Sequence, residues 1–332
     1  MGLDTPEISV IIPTHHRPHL VTTAVESVLQ QTVSNLELLV VMDGPDLATQ
    51  QSLAAITDPR LHVLSLPEHQ GAAEARNQGI RKSRGKWIAF LDDDDTWLPK
   101  KLEMQLQTAQ AATTRYPIVT CRVLARSKQA DHIWPRRCPT SGESIGEYLF
   151  CRSTFFSGEG TIQTSTWFVP KELLTLHPFE SKLRAMEDLE WLLRVTQDPD
   201  VQVLFVSTHE PLAVWNIETG RERLSDSVRW DFQFTWARTH RALLTRRAYA
   251  GLLLTWAGYS AARDQAWSAL FKLPAEAYRG GTPSLQELVT YGGYWLIPSQ
   301  LAGKLAGWFA SLHRHWTRAG WAITLHSPVD RR

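Results

Sequence analysis

Four consecutive carboxylates, Asp92, Asp93, Asp94 and Asp95, close an apolar and aromatic run that begins after Lys86 and leads on to Pro99. The segment Trp87-Ile88-Ala89-Phe90-Leu91 reads as a buried strand, so the acids fall at a strand's carboxyl end. Adjacent anions repel, and at the rim of an open α/β sheet a cation or a hydrogen-bonding ligand has to offset that repulsion. Oxygen-only donors suit a hard divalent ion, Mg2+ or Mn2+, of the kind also held by substrate phosphates. A solvated acidic turn capping the next helix is the plainer alternative. A second acidic pair, Glu187 and Asp188, opens the amphipathic segment 185–196, where the positive end of a helix dipole favours anions. Dipole complementation alone would also place acids there.

Positioning such groups takes a scaffold, and the first hundred residues supply its pattern. A strand is expected over 7–14, ending at Thr14. Pro18 then opens a helix with Val21, Ala24, Val25, Val28 and Leu29 at helical spacing. Further strands are expected at 36–42, which ends in Asp43 and the turn Gly44-Pro45, and at 61–66, followed by a helix over 71–84. Strands alternating with helices imply right-handed crossovers and a largely parallel sheet, with ligands bound beyond the strand carboxyl ends. Thr14, Asp43 and the tetra-aspartate run, from three strands, all fall on that rim. No Gly-x-Gly-x-x-Gly or Gly-Lys-Ser/Thr phosphate loop is present, which argues against dinucleotide dehydrogenases and P-loop NTPases. Beyond 100 we expect a helix over 98–112, strands at 117–124, 162–169, 201–206 and 211–215, and a loop at 141–160. A loop over 216–225 holds Arg221 and Arg223, and the chain reads as helical from about 226 onward.

The 332 residues suffice for a catalytic domain over 1–220 and a helical, basic, Trp-rich extension over 221–332. Composition is globular, with 43% hydrophobic and 21% charged residues, so disorder is not expected. The net charge of +1 divides into −7 for 1–220 and +8 for 221–332, which also holds 8 of the 14 tryptophans. Basic excess confined to the tail, with no recognisable module, argues against nucleic acid as a partner. The three cysteines lack metal-ligand spacing, and the start lacks a signal-peptide pattern, so a cytoplasmic setting is expected. The uncharged run between Glu287 and Lys304 is broken by Pro298 and glycines and is too short to span a bilayer. Residues 299–321 place Leu301, Leu305, Trp308, Leu312 and Trp316 near one helical face. That face suits either peripheral contact with an anionic membrane, on the inner face of the cell membrane, or packing on the protein or a second subunit.

The motifs in combination resemble family 2 glycosyltransferases. They are Ser-Val-Ile-Ile-Pro-Thr at 9–14, Ser-Val-Leu-Gln-Gln-Thr at 27–32, Asp43-Gly44, Ala-Arg-Asn-Gln-Gly-Ile at 75–80, Phe-Leu-Asp-Asp-Asp-Asp-Thr-Trp-Leu-Pro at 90–99, and Glu187-Asp188. The resemblance covers roughly residues 6–217 and implies a GT-A fold, a Rossmann-like, mostly parallel sheet flanked by helices. It further implies a nucleoside-diphosphate-sugar donor, with a preference for uridine, a divalent metal and inversion at the anomeric carbon. Pro13, Thr14 and Arg17 would border the nucleoside, and Asp43 would accept hydrogen bonds from the base. Gly71 and Arg76 would lie near the nucleotide, and Asp92 or Asp93 near the ribose. Asp92 and Asp94 match the Asp-x-Asp motif at the metal, and Asp188 the catalytic base, with Glu187 in reserve. Arg221 and Arg223 would close over the diphosphate, although surface charge explains them equally well. The family often has Asn where His69 stands, and Ser or Thr where Pro45 stands. Asp226-Ser-Val-Arg229-Trp230 echoes only part of the processive Gln-x-x-Arg-Trp motif, so transfer of a single sugar is expected. The acceptor would be a glycan or lipid-linked glycan in cell-surface polysaccharide synthesis. The alternatives are transfer to a polyprenyl phosphate and a non-catalytic nucleotide-sugar-binding or scaffold protein.

Overall fold

The computed structural model describes residues 5–127, 130–155, 158–217 and 228–296. β1 (Ile8–Thr14) and β2 (Leu36–Met42) are buried at every position, as apolar strands covered on both faces must be. They pair in parallel from Ile8 opposite Leu36 to Thr14 opposite Met42. β3 (Leu61–Ser65) extends the sheet beyond β2, and β4 (Trp87–Phe90) lies parallel on the other side of β1. The full order is β10 (Val201–Phe205), β6 (Tyr116–Thr120), β9 (Phe168–Pro170), β4, β1, β2, β3, with β9 alone antiparallel. A smaller four-stranded sheet runs β5 (Thr96–Trp97), β11 (Ala213–Asn216), β7 (Val123–Arg126), β8 (His132–Trp134).

Period-two alternation divides the core between the two sheet faces. Ile8, Val10 and Ile12 face one cluster, packed on α1 (Pro18–Leu29) and α4 (Lys101–Gln110) through Val21, Val25, Leu102 and Ala109. Ile11, Val41 and Phe90 face the other, with α3 (Ala72–Lys82), α5 (Ile145–Phe150), α6 (Lys171–Leu176) and α7 (Glu187–Val195). α2 (Leu47–Ala54) follows β2 and is capped by Asp46, whose side chain accepts from Ala48 N. The second cluster continues without a break into the C-terminal helices α8 (Trp230–Thr239), α9 (Arg246–Gly251), α10 (Gly258–Arg263), α11 (Ala269–Gly280) and α12 (Leu285–Leu296). A π-helical turn, Leu252–Ala257, joins α9 to α10. Gly251 makes that seam close: an added Cβ would lie 2.6 Å from the Phe150 carbonyl oxygen.

Several expected elements differ. The helix expected over 98–112 begins only at Lys101, because Leu98 still follows the strand before it, its N donating to the Leu212 carbonyl at 2.9 Å. The strand expected at 117–124 is two strands in different sheets, β6 and β7, separated at Cys121 and Arg122. Within the expected loop 141–160, α5 forms because the Ser144 side chain accepts from Glu147 N. Of the expected strand 162–169 only Phe168–Pro170 pairs, beginning one residue short of that span's end. Thr164–Thr166 is a 3-10 turn, in which the Thr166 hydroxyl bonds the Gln163 carbonyl at 2.6 Å. Arg221, Arg223 and the 299–321 segment lie outside the described residues. Among the described residues no helix is long and apolar enough to cross a membrane.

Candidate active site

β1, β2 and β4 end side by side, which brings Thr14, Asp43 and the tetra-aspartate turn onto one rim. A hydrogen bond from Asp95 N to the Asp92 carbonyl, 3.1 Å, closes the turn and sends alternate side chains in opposite directions. Asp93 and Asp95 point inward, 5% and 1% exposed, while Asp92 and Asp94 remain partly open. Asp93 accepts from Thr14 Oγ1 at 2.7 Å and from Arg17 Nη1 at 2.9 Å. Burial pushes its carboxyl up to about 6, against the pull of Thr14 and Arg17. Asp95 accepts from Ser165 Oγ at 2.8 Å, Gln163 Nε2 at 2.5 Å and Asn216 N at 3.2 Å. Burial, reinforced by the charges of Asp92 and Asp94, holds it well above the usual carboxylate range. Arg17 Nη1 also reaches Asp94 at 3.5 Å.

Arg76, buried on α3, spans the two acidic groups: Nη2 lies 2.8 Å from Asp92 and Nη1 2.8 Å from Glu187. Burial works against its charge, but the Asp92 and Glu187 carboxylates outweigh it and raise its pKa. Glu187 is raised by burial and by the neighbouring Asp188 charge, with Arg76 opposing. Met186, in the left-handed region at φ 60°, turns the chain into α7 so that both acids open the helix. Asp188 Oδ2 accepts from Thr164 Oγ1 at 2.7 Å and Oδ1 from Leu189 N at 2.8 Å. Arg76 lies over the Phe179 ring, 5.9 Å from its centroid, and Phe179 belongs to an aromatic group with Phe90, Trp167 and Trp191, with ring centroids 5.3 to 6.4 Å apart in neighbouring pairs.

At the other end of the rim, the buried Asp43 carboxylate accepts from Gln70 N at 2.7 Å and Gly71 N at 2.8 Å, with His69 Nδ1 2.8 Å away. Gly71 sits at φ +96°, a conformation that favours glycine, and α3 starts from it. His15 Nδ1 lies 2.7 Å from the Asp43 carbonyl oxygen. Pro13 is buried within β1 opposite Val41.

Apart from Pro13, the described residues singled out from the sequence lie at the carboxyl ends of β1, β2 and β4 or on the starts of α3 and α7, and are held in unequal ways. Asp93 and Glu187 are engaged by arginines, Asp43 by backbone amides, and Asp188 by a threonine. Sequence reasoning missed Gln163, Thr164 and Ser165, which anchor Asp95 and Asp188, and Ser165 Oγ also accepts from Asp92 N at 3.0 Å. Their signal was a hydroxyl-rich Gln-Thr-Ser-Thr run inside an otherwise apolar stretch.

Residues 9–174, half of the chain, match the Glycosyl transferase family 2 profile. The protein belongs to the family 2 glycosyltransferases. Residues aligned with the UDP-Glc:alpha-D-GlcNAc-diphosphoundecaprenol beta-1,3-glucosyltransferase WfgD of Escherichia coli are 38% identical over 104 residues, 31% of this chain and 41% of that protein. Succinoglycan biosynthesis protein ExoO of Rhizobium meliloti is 37% identical over 107 residues, 32% of this chain and 31% of its own length. The chain thus spans well under two thirds of these relatives. Among solved structures, S. aureus TarS 1-349 superposes with a TM-score of 0.52 at 17% identity, covering 87% of this chain and 81% of that one. The mannosyltransferase PcManGT from Pyrobaculum calidifontis, in complex with GDP-Man and Mn2+, gives 0.53 at 19%, covering 94% and 83%. The architecture is the GT-A fold.

In this glycosyltransferase a divalent ion has suitable donors. Alternation in the tetra-aspartate turn brings Asp92, which also meets Arg76, and Asp94, which also meets Arg17, to the open side, where their oxygens have the chemistry that a hard cation takes. The inward pair, Asp93 and Asp95, is already satisfied by protein donors and does not compete for it.

Proposed function

We propose that this glycosyltransferase moves one sugar, with inversion, from a nucleoside-diphosphate donor, a UDP-sugar by preference, to a glycan or lipid-linked glycan acceptor of a cell-surface polysaccharide. The observation that carries this reading is the placement of two acidic groups on one rim, joined by Arg76: an open Asp92/Asp94 pair and Asp188 at a helix start. Asp92 and Asp94 would hold Mn2+ or Mg2+, which supplies charge stabilisation for the departing diphosphate. Asp43, Pro13, Thr14, Arg17, Gly71 and Arg76 would border the nucleotide, with Arg221 and Arg223 adding cationic charge. Asp188 is the base, and Thr164 orients it with one hydrogen bond. The acceptor oxygen forms its bond to the anomeric carbon as the bond to the β-phosphate breaks. The electron pair leaves with the nucleoside diphosphate and the acceptor proton passes to Asp188. Residues 1–220, with Arg221 and Arg223 just beyond them, carry this chemistry, and the rest of 221–332 is assigned as an extension for placing the protein or its acceptor. The polysaccharide context and lipid-linked acceptor are supported by the names of WfgD and ExoO.

Thermal-shift titration with UDP, GDP and their sugars, with and without Mn2+, tests the donor, because only a bound ligand raises the melting point by mass action. Asp188→Asn should keep the donor-dependent shift while turnover falls. Full turnover in that variant, or no shift with any nucleotide, would sink the reading.

A further inference from the structure

Three loops meet at the nucleoside end of the rim, and they set two histidines that the proposed sugar transfer does not use beside Asp43, which it does. His15 follows β1, Asp43 follows β2, and His69 precedes α3. One ring nitrogen from each histidine and one Asp43 carboxylate oxygen lie within 4.8 Å of one another. Among the described residues no other trio of potential metal ligands meets in this way.

We propose that His15, Asp43 and His69 form a second cation site, selective for a borderline ion of the Zn2+ class and separate from the Asp92/Asp94 pair. Donor chemistry separates the two sites. Imidazole suits zinc-class ions, whereas a site of carboxylates alone suits magnesium or manganese. Two imidazoles and one carboxylate give three protein ligands and leave a position open, the arrangement of an exchangeable rather than a structural zinc.

The scaffold for such a site is already in place. The Asp43 carboxylate is held by the Gln70 and Gly71 amides; Oδ1 keeps a further lone pair, and that of Oδ2 is turned to His69 Nδ1 at 2.8 Å. The two imidazoles lie with centroids 4.3 Å apart and planes 33° from parallel; His69 Nδ1 faces the Asp43 carboxylate at 2.8 Å and His15 Nδ1 the Asp43 carbonyl oxygen at 2.7 Å. Gly44, at φ +101°, admits the His69 backbone; an added Cβ there would approach its nitrogen at 3.3 Å. Donors sharing one Zn2+ at about 2.1 Å stand roughly 3.4 Å apart, so the set closes with a modest rotation of the two exposed rings. His16 braces the group edge-on to His15 at 4.3 Å, itself 3.6 Å from Asp46.

One consequence rests on the proposed nucleoside role of Asp43: an ion there and a base reading the same carboxylate exclude one another. Zinc would then restrain the enzyme by competing with the donor, even with Mn2+ saturating.

Zinc binding to the full chain, stripped with EDTA and titrated with ZnSO4 against a chromophoric chelator, is the direct test. One equivalent should bind, and His15→Gln and His69→Gln should each weaken it roughly tenfold or more, while Asp94→Asn leaves it unchanged. Unaltered melting points without metal confirm that the histidine variants fold. No binding, binding indifferent to both histidines, or binding lost in Asp94→Asn would overturn the site. The UDP-induced thermal shift is then measured on zinc-loaded and zinc-free protein. Suppression by zinc supports the exclusion, and an undiminished shift overturns it. A UDP shift absent from zinc-free protein would instead count against the donor assignment, leaving the zinc titration to stand or fall separately.

Discussion

The tetra-aspartate turn and the Glu187-Asp188 pair solve the same electrostatic problem with different means. In each, an arginine draws one acid closest: Arg17 lies 2.9 Å from Asp93 and 3.5 Å from Asp94, and Arg76 lies 2.8 Å from Glu187 beside Asp188. The turn relies on strand-like alternation, which buries every second carboxylate. The pair relies on a helix start, where Met186 in the left-handed region presents consecutive residues to the rim. Burial raises the inward members, Asp93, Asp95 and Glu187, and the charge of neighbouring acids adds to it.

If that division of labour holds, the outward members should matter for chemistry and the inward ones for architecture. The largest effect is expected from Asp188→Asn, with turnover reduced roughly 10²- to 10⁴-fold in a steady-state assay and the melting point close to wild type. Phe90→Ala takes one ring from the aromatic group around Phe179 and should lower unfolding free energy by about 3–5 kcal/mol in urea titration, lowering the occupancy of both sites together. Thr164→Val keeps the shape but removes the donor to Asp188. Because a hydrogen bond to a charged group contributes about 1.5–3 kcal/mol, turnover should fall some ten- to hundredfold with KM for the donor unchanged. A parallel rise in that KM would show the two groups to be less separable than proposed.

The subtlest effect concerns pH. Asp93 has its carboxyl raised from 3.8 to about 6, so the folded protein holds that proton more tightly than the unfolded chain does. Its contribution to stability is therefore full below 3.8 and is lost as pH rises through about 6. Asp93→Asn should flatten that part of the urea midpoint's pH dependence across this window. The like-signed shifts of Asp95 and Glu187 remain as background.

Much of this arrangement could be anticipated from the chain alone. Continuous apolar runs such as Val10 to Pro13 have one stable home, inside a parallel sheet, and the helical spacing from Val21 to Val28 leaves little ambiguity. The rim followed from where each run stops. Four identical aspartates, by contrast, carry no mark of which face each one takes; only the Asp95 to Asp92 turn decides it. The segment around Thr164 was read as a strand because Ile162 and Trp167 flank it with apolar weight. Local hydroxyl bonding overrode that weight. Arg76 was expected near the nucleotide through family resemblance, but its bond to Glu187, 111 residues away, belongs to tertiary structure alone.

The short turn Thr164–Thr166 also has an evolutionary and practical implication. Since adjacent hydroxyls there grip Asp188 on one side and Asp95 on the other, the spacing between Asp188 and the tetra-aspartate turn is ruled by a single peptide step. Insertions that surface loops would absorb should be ruinous at this point, so any re-engineering of acceptor choice has to graft its changes elsewhere and leave the length of this segment untouched.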